Sequence, residues 1–297
     1  MKKEIRQMGG KIGVASEDLE KHPFNTDFMD SMRLRVMTYN IYEGAVGREE
    51  AVLAVVRAAQ PDVLFMQEVL DRQNAQYFAD KLNMGMSSPC FADSNARTRN
   101  VIMLSRYPIT VCDCFHPFPL LRTLLLATIS LPNGQALNLF VVHLGLIHDW
   151  WRVYELHTIL KRIKIYQNAH PATLSMIAGD FNSVAAGDRV TYKGVPLYYK
   201  IVLALQFARF PRSALAKVRQ AGYIDCFRAC HPHANGFTVP TTAPNVRLDY
   251  IFANSALAAG LRSCEVVQTP SDHAQKASDH YPLIADFEVP NPLPPLS

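Results

Sequence analysis

Two kinds of apolar pattern alternate along the chain: short continuous runs, and longer stretches whose apolar positions recur every three to four residues. Continuous runs of four to eight residues suit strands covered on both faces, and the wider spacing suits helices with one buried stripe. "LRVMTYNI" (34–41) reads as a strand. In "REEAVLAVVRAAQ" (48–60), Val52, Val55, Val56 and Ala59 share one helical face, and Pro61 closes the helix. "PDVLFMQEV" (61–69) is a second buried strand, "DRQNAQYFADKL" (71–82) a helix and "VIMLS" (101–105) a strand. "TLLLATISLPNGQALNLFVVHL" (123–144) reads as a hairpin whose Asn133-Gly134 supplies the positive φ values of a tight turn. A long helix over 149–168 leads into the run "TLSMIAGD" (173–180), and "VRLDYIFAN", "SCEVVQT" and "PLIADFEV" give three more strands.

Hairpins mixed with strand-helix-strand units predict an α/β domain with mixed sheets and helices outside. The expected domain spans 33–289. Residues 1–32 are polar and aperiodic and read as a flexible extension, and 290–297, "PNPLPPLS", as a proline-rich tail. With 297 residues, 49% of them hydrophobic, the chain can bury a large core, which excludes a disordered class. The formal charge of +4 is too small to announce a nucleic-acid binder by itself.

The apolar stretches 123–131 and 201–208 fall far short of the roughly 20 residues a membrane span needs. Lys2 and Lys3 are followed by Glu4, Arg6 and Gln7 where a signal peptide would turn apolar, so the expected location is cytoplasmic and the expected state a soluble monomer. Six cysteines (Cys90, Cys112, Cys114, Cys226, Cys230, Cys264) show no CxxC pair and are expected as reduced, mostly buried thiols.

The chemistry lies where the apolar runs stop. Asn40 closes the first strand, Glu68 the second, and His143 the hairpin's second arm. Asp180 and Asn182 end the next run, Asp249 sits within a later one, and Asp279-His280 precede the last. Singly, each reads as a turn former, a helix cap or a satisfied histidine. Together they are costly to bury unless a shared cation or hydrogen bonds neutralise them. Hard oxygen donors in small number suit Mg²⁺, which keeps several waters, with Mn²⁺ as a chemical substitute; zinc fits worse, since there is no HExxH.

The ordered motifs "TYN", "QEV", "VHL", "GDFN", "RLDYIF" and "SDHYPL" resemble those of the endonuclease/exonuclease/phosphatase superfamily, from about Arg33 to Val289. The resemblance implies a four-layer α/β/β/α sandwich of two mixed sheets with outer helices, its strand ends meeting at one metal cleft. It implies a phosphoesterase that uses metal-assisted attack of water on a phosphodiester of nucleic acid or of a phospholipid head group. A phosphomonoesterase or a non-catalytic binding module of the same fold are the alternatives. By resemblance, Glu68 binds Mg²⁺ with Asn40 and Asp279. Asp249 orients His280, which either takes a proton from water or, protonated, stabilises the phosphate. Asp180 orients or deprotonates the water, and Asn182 and His143 donate to phosphate oxygens.

"TYNIYEG" lacks the Trp-Asn-x-Asn-Gly form of AP endonucleases, and "QEV" replaces their "QET", which weighs against exonuclease-like repair. Deadenylases are weakened by the absence of a leucine-rich-repeat adaptor, and "VVHLGL" looks most like the broad bacterial branch. Residues 189–219 carry seven basic residues and no acidic one, interleaved with Tyr192, Tyr198, Tyr199, Phe207 and Phe210. That segment is expected to grip a polyanion, to lie on an anionic membrane, or to pack on the domain's own core.

Overall fold

A computed structural model of the chain describes residues 31–84, 89–96, 98–146, 149–191, 213–268 and 273–291. The strands are β1 (Ser31–Asn40), β2 (Val63–Val69), β3 (Cys90–Ala92), β4 (Asn100–Ser105), β5 (Ile109–Phe115), β6 (Thr123–Ser130), β7 (Ala136–His143), β8 (Leu174–Asp180), β9 (Tyr223–Asp225), β10 (Asp249–Asn254), β11 (Leu261–Val266) and β12 (Leu283–Pro290). The helices are α1 (Glu49–Ala59), α2 (Arg72–Leu82), α3 (Asp149–Ala169), α4 (Ala214–Gln220), α5 (Cys226–Cys230), α6 (Ser255–Ala258) and α7 (His273–Ala277).

Two six-stranded mixed sheets run in the orders β11-β12-β1-β2-β4-β3 and β5-β6-β7-β8-β10-β9. The alternation of side chains along a strand sorts each sheet into an inner and an outer face. Leu34 and Val36 of β1, Leu139 and Val141 of β7, Met176 and Ala178 of β8, and Ile251 of β10 meet in one core between the sheets. Met37 and Tyr39 pack outward with α1, α2 and Ala277 of α7. Leu124 and Phe140 pack outward with α3 and α4. The order of layers is therefore helix, sheet, sheet, helix, as the motifs predicted. Strands buried on both faces are continuous apolar runs for this reason; all seven residues of β2 and of β8 are buried. Among the described residues, no helix is long and apolar enough to cross a membrane.

Two local readings are corrected. In the β6–β7 turn only Gly134 takes a positive φ (80°). Pro132 already fixes the turn's second position, and the Asn133 side chain accepts instead from the Gln135 N–H at 3.1 Å. The expectation of reduced cysteines fails for one pair, because Cys90 and Cys112 are joined by a disulfide with their Cα atoms 5.7 Å apart. They lie on β3 and β5, the edge strands of the two sheets, which sequence spacing does not bring together but sheet stacking does. Cys114, Cys226, Cys230 and Cys264 are free thiols, the second and last of them buried.

Candidate active site

The inward-facing rows that build the central core change character at one end of the sandwich. Continuing the row of Leu34 and Val36, β1 places Asn40; continuing Leu139 and Val141, β7 places His143; continuing Met176 and Ala178, β8 places Asp180. β7 and β8 are parallel with His143 opposite Asp180, and β10 runs antiparallel with Asp249 opposite Asp180. Three neighbouring strands thus deliver an imidazole and two carboxylates side by side. Gly179 makes this register possible: at φ 136°, a Cβ there would lie 2.0 Å from the Val142 carbonyl oxygen.

Glu68 reaches the site by another route. Alternation along β2 would turn it outward, but a bulge between Gln67 and Val69 and a φ of 65° at Glu68 redirect it. Its carboxylate then lies 3.5 Å from Asn40 Nδ2 and 3.8 Å from His143 Nε2, and accepts the Glu43 N–H at 3.1 Å. Asp180 shares the first two neighbours: Asn40 Nδ2 donates to it at 3.1 Å, and His143 Nε2 is 3.4 Å away. Asn40 turns its amide nitrogen, rather than its oxygen, towards the carboxylates, while its oxygen accepts the Tyr42 N–H at 3.0 Å.

The Asn182 N–H donates to Asp180 Oδ1 at 2.9 Å, and the Asn182 side-chain amide donates to the Leu144 carbonyl at 2.8 Å. His280 Nδ1 is 2.8 Å from Asp249 Oδ2. Asp279 is half-buried, with its oxygen 3.4 Å from the Ser278 hydroxyl, and its charge acts on His280. All eight residues expected at the site therefore lie in or beside one strand-end cluster.

Burial and mutual charge set the protonation states. Burial opposes a cationic His280, but Asp249, hydrogen-bonded to it, together with Asp180 and Asp279 outweighs burial and raises its pKa to about 10. His143 is driven the other way, well below its ordinary value, by burial and by the cations Arg122, His280 and Arg99. Burial and the Asp249 charge push Asp180 up to about 6, against His280, Arg122 and the Asn182 N–H. Near neutrality the site combines a cationic imidazole, a neutral one, and a carboxylate able to exchange a proton.

Sequence reasoning missed two arginines. Arg99 forms an ion pair with Glu68 and lies 3.5 Å from Glu43. Arg122 is buried, its Nη1 has no hydrogen-bond partner, and burial lowers its pKa to about 10 despite the nearby Asp180. Both precede strands, β4 and β6, that run antiparallel to β2 and β7, so their starts lie at the end where the other motifs finish. Strand direction was the signal that would have found them. Of the basic segment, residues 192–212 lie outside the described residues, whereas Arg189, Lys217 and Arg219 lie within them.

Asp180, Asp249 and His280 bring potential ligand atoms within 4.8 Å of one another. His280 has Nδ1 bonded to Asp249 and Nε2 open, and the surrounding carboxylates favour its cationic form, which must lose a proton before Nε2 could ligate. The donors that fit a hard, hydrated cation are the carboxylates. Asp249 Oδ1 is buried without a partner and Asp180 is held up in pKa, the behaviour of a carboxylate group short of positive charge.

The model of the Endonuclease/Exonuclease/phosphatase family matches residues 37–280, a span that takes in every candidate site residue. The chain belongs to this family. The family is one of hydrolytic phosphoesterases, typically dependent on a divalent metal. Solved structures bear out the fold. An endonuclease/exonuclease/phosphatase protein from Beutenbergia cavernae DSM 12333 is 20% identical with a TM-score of 0.65, over 88% of this chain and 73% of that one. An AP endonuclease from Archaeoglobus fulgidus is 20% identical at TM-score 0.62, over 86% and 100%. TDP2 from Caenorhabditis elegans is 20% identical at 0.61, over 87% and 75%. A search of curated proteins finds no match.

Proposed function

We propose that this family member is a Mg²⁺-dependent phosphodiesterase acting on nucleic acid or on a phospholipid head group. The observation that carries the reading is the convergence of Glu68 and Asp180 on the shared neighbours Asn40 and His143, beside the 2.8 Å Asp249–His280 pair. Glu68, Asp279 and, with its amide turned over, Asn40 would hold the ion. When bound, Mg²⁺ supplies Lewis-acid polarisation of a phosphoryl oxygen and stabilisation of the leaving oxygen, and Mn²⁺ can substitute.

The chain's own groups supply the rest. Cationic His280 and Arg122, whose buried Nη1 is unpartnered, neutralise the phosphoryl charge that otherwise repels a nucleophile. His143, neutral at physiological pH, donates one N–H without adding charge. Asp180, raised in pKa and fixed by Asn182, orients the attacking water and accepts its proton. Nucleic acid is the favoured substrate class, because the similar structures include an AP endonuclease.

The test is a Mg²⁺-supplemented screen over bis-p-nitrophenyl phosphate, plasmid DNA, RNA and sphingomyelin, with the His280→Ala protein as control. EDTA-sensitive turnover of a diester by the wild-type protein, lost in the variant, is the expected result. Turnover of monoesters alone would replace the reading with phosphomonoesterase, and no turnover of any ester would leave a binding module.

A further inference from the structure

α3 leaves the catalytic end of its sheet six residues after His143 contributes to the site, and its exposed face is unusual in composition. Trp150 is 65% exposed and Tyr154 50% exposed, one helical turn apart. Exposed His157, Lys161 and Lys164 follow, and no acidic residue occurs between Leu156 and Ala169. α4 packs against α3 through Ala214, Leu215 and Val218 and brings Lys217 alongside. The two helices enclose an open groove of about 460 Å³ lined by Trp150, Val153, Tyr154, His157 and Lys217.

The groove is built into the site's own framework. Trp151 Nε1 donates to the Pro119 carbonyl at 3.1 Å. Glu155 accepts the Leu121 N–H at 2.8 Å and the Gly145 N–H at 3.4 Å, tying α3 to the loops that lead to Arg122 and away from His143. A ligand in the groove is thereby held in a fixed relation to the phosphoryl site.

We propose that the groove between α3 and α4 is a nucleobase-stacking subsite for single-stranded nucleic acid flanking the scissile phosphoester. The proposal rests on the phosphodiesterase reading for the site it serves. Flat rings with Lys217 in the same groove suit a planar base carrying an anionic backbone. An acyl chain gains nothing from Lys217 beside it, and a membrane contact is the alternative that the vesicle titration below tests. The basic, aromatic segment singled out in the sequence thus gains a role for its described end, through Lys217.

The chain's two tryptophans are Trp150, in the groove wall, and Trp151, whose ring lies 5.4 Å from it, so intrinsic fluorescence reports on the groove through Trp150. A 12-mer oligothymidylate titrated in EDTA at low salt should quench that fluorescence, and phosphatidylglycerol vesicles should not. By anisotropy of a fluorescein-labelled 12-mer, Trp150→Ala should weaken binding by roughly 10-fold or more, the size of one stacked base. Lys217→Glu, a second surface change, should weaken binding and lower the slope of log K against log salt by about one. Absence of quenching, or unchanged affinity in both variants, overturns the proposal; quenching by vesicles alone overturns it in favour of a membrane contact. Turnover of bis-p-nitrophenyl phosphate by the unmodified protein separates the two readings. Turnover without quenching removes only the subsite; quenching without turnover removes the enzyme and with it the flanking role, leaving a single-strand binding groove.

Discussion

Replacing Arg247 with Met should destabilise the domain far more than its distance from any reacting atom would suggest. The guanidinium is fully buried; Nε meets Asp188 Oδ2 at 2.8 Å, and the two terminal nitrogens meet Asp225 at 2.9 and 2.6 Å. It also lies over the Tyr250 ring at 4.3 Å and the Phe227 ring at 5.1 Å. Burial opposes the charge, yet Tyr250, Asp225 and Asp188 raise the pKa, so the arginine stays cationic. Methionine fills much of the same volume but leaves two buried carboxylates short of a partner, a loss of about 3–5 kcal/mol for a broken buried pair. The cost should fall at the lower end, because Asp188 keeps Arg228 at 2.7 Å and the Tyr250 hydroxyl at 3.2 Å. At about 2–4 °C per kcal/mol for a domain of this size, Tm should drop by about 6–15 °C in differential scanning calorimetry. If uncompensated charge is the cause, adding Asp225→Asn should recover part of the loss. A Tm within about 2 °C of wild type, or a double variant worse than the single one, would refute the reasoning.

Other outcomes follow from the site and its supports. Glu68→Ala should lower diester turnover by about 10³-fold or more while leaving a cooperative thermal transition. Arg122→Met should lower kcat/KM by about 10²-fold while a cooperative thermal transition survives; an unchanged rate would remove it from phosphate binding. Burial raises the Asp286 pKa, but the bonds from Arg35 at 2.8 and 3.0 Å and from Arg33 outweigh it and hold the value at about 2. A depressed carboxylate stabilises the fold above its unfolded value of about 3.9, and that contribution fades as pH falls through about 2. Asp286→Asn should therefore cost about 1–2 kcal/mol at pH 7, allowing for partial solvent screening, with the difference vanishing near pH 2 in urea titrations.

Much of the fold was legible because its strands are covered on both faces, so β2, β6, β7 and β8 are unbroken apolar runs with no competing helical period. β5 was not, since it is an edge strand whose sequence alternates between half-buried and exposed positions. β3 escaped notice because three residues carry no period. The candidate site was legible as polar residues terminating apolar runs, which the fold gathers at one end of the sandwich. The orientation of Glu68 was not, because it depends on a bulge and a positive φ that no side-chain pattern records. Arg99 and Arg122 were missed because a list of strand ends omits the starts of antiparallel neighbours. The Cys90–Cys112 bond depends on which edges of two sheets stack, which is a property of topology and not of spacing.

The claim beneath the whole account is that strand ends distant in sequence form one centre for a hydrated divalent cation. Crystals soaked in Mn²⁺ test it most directly, through an anomalous difference map. The account predicts a peak within about 2.5 Å of a Glu68 carboxylate oxygen, in the cluster with Asp180 and His280. An ion bound only elsewhere, or a cluster that stays metal-free in a protein that still hydrolyses diesters in EDTA, would contradict it.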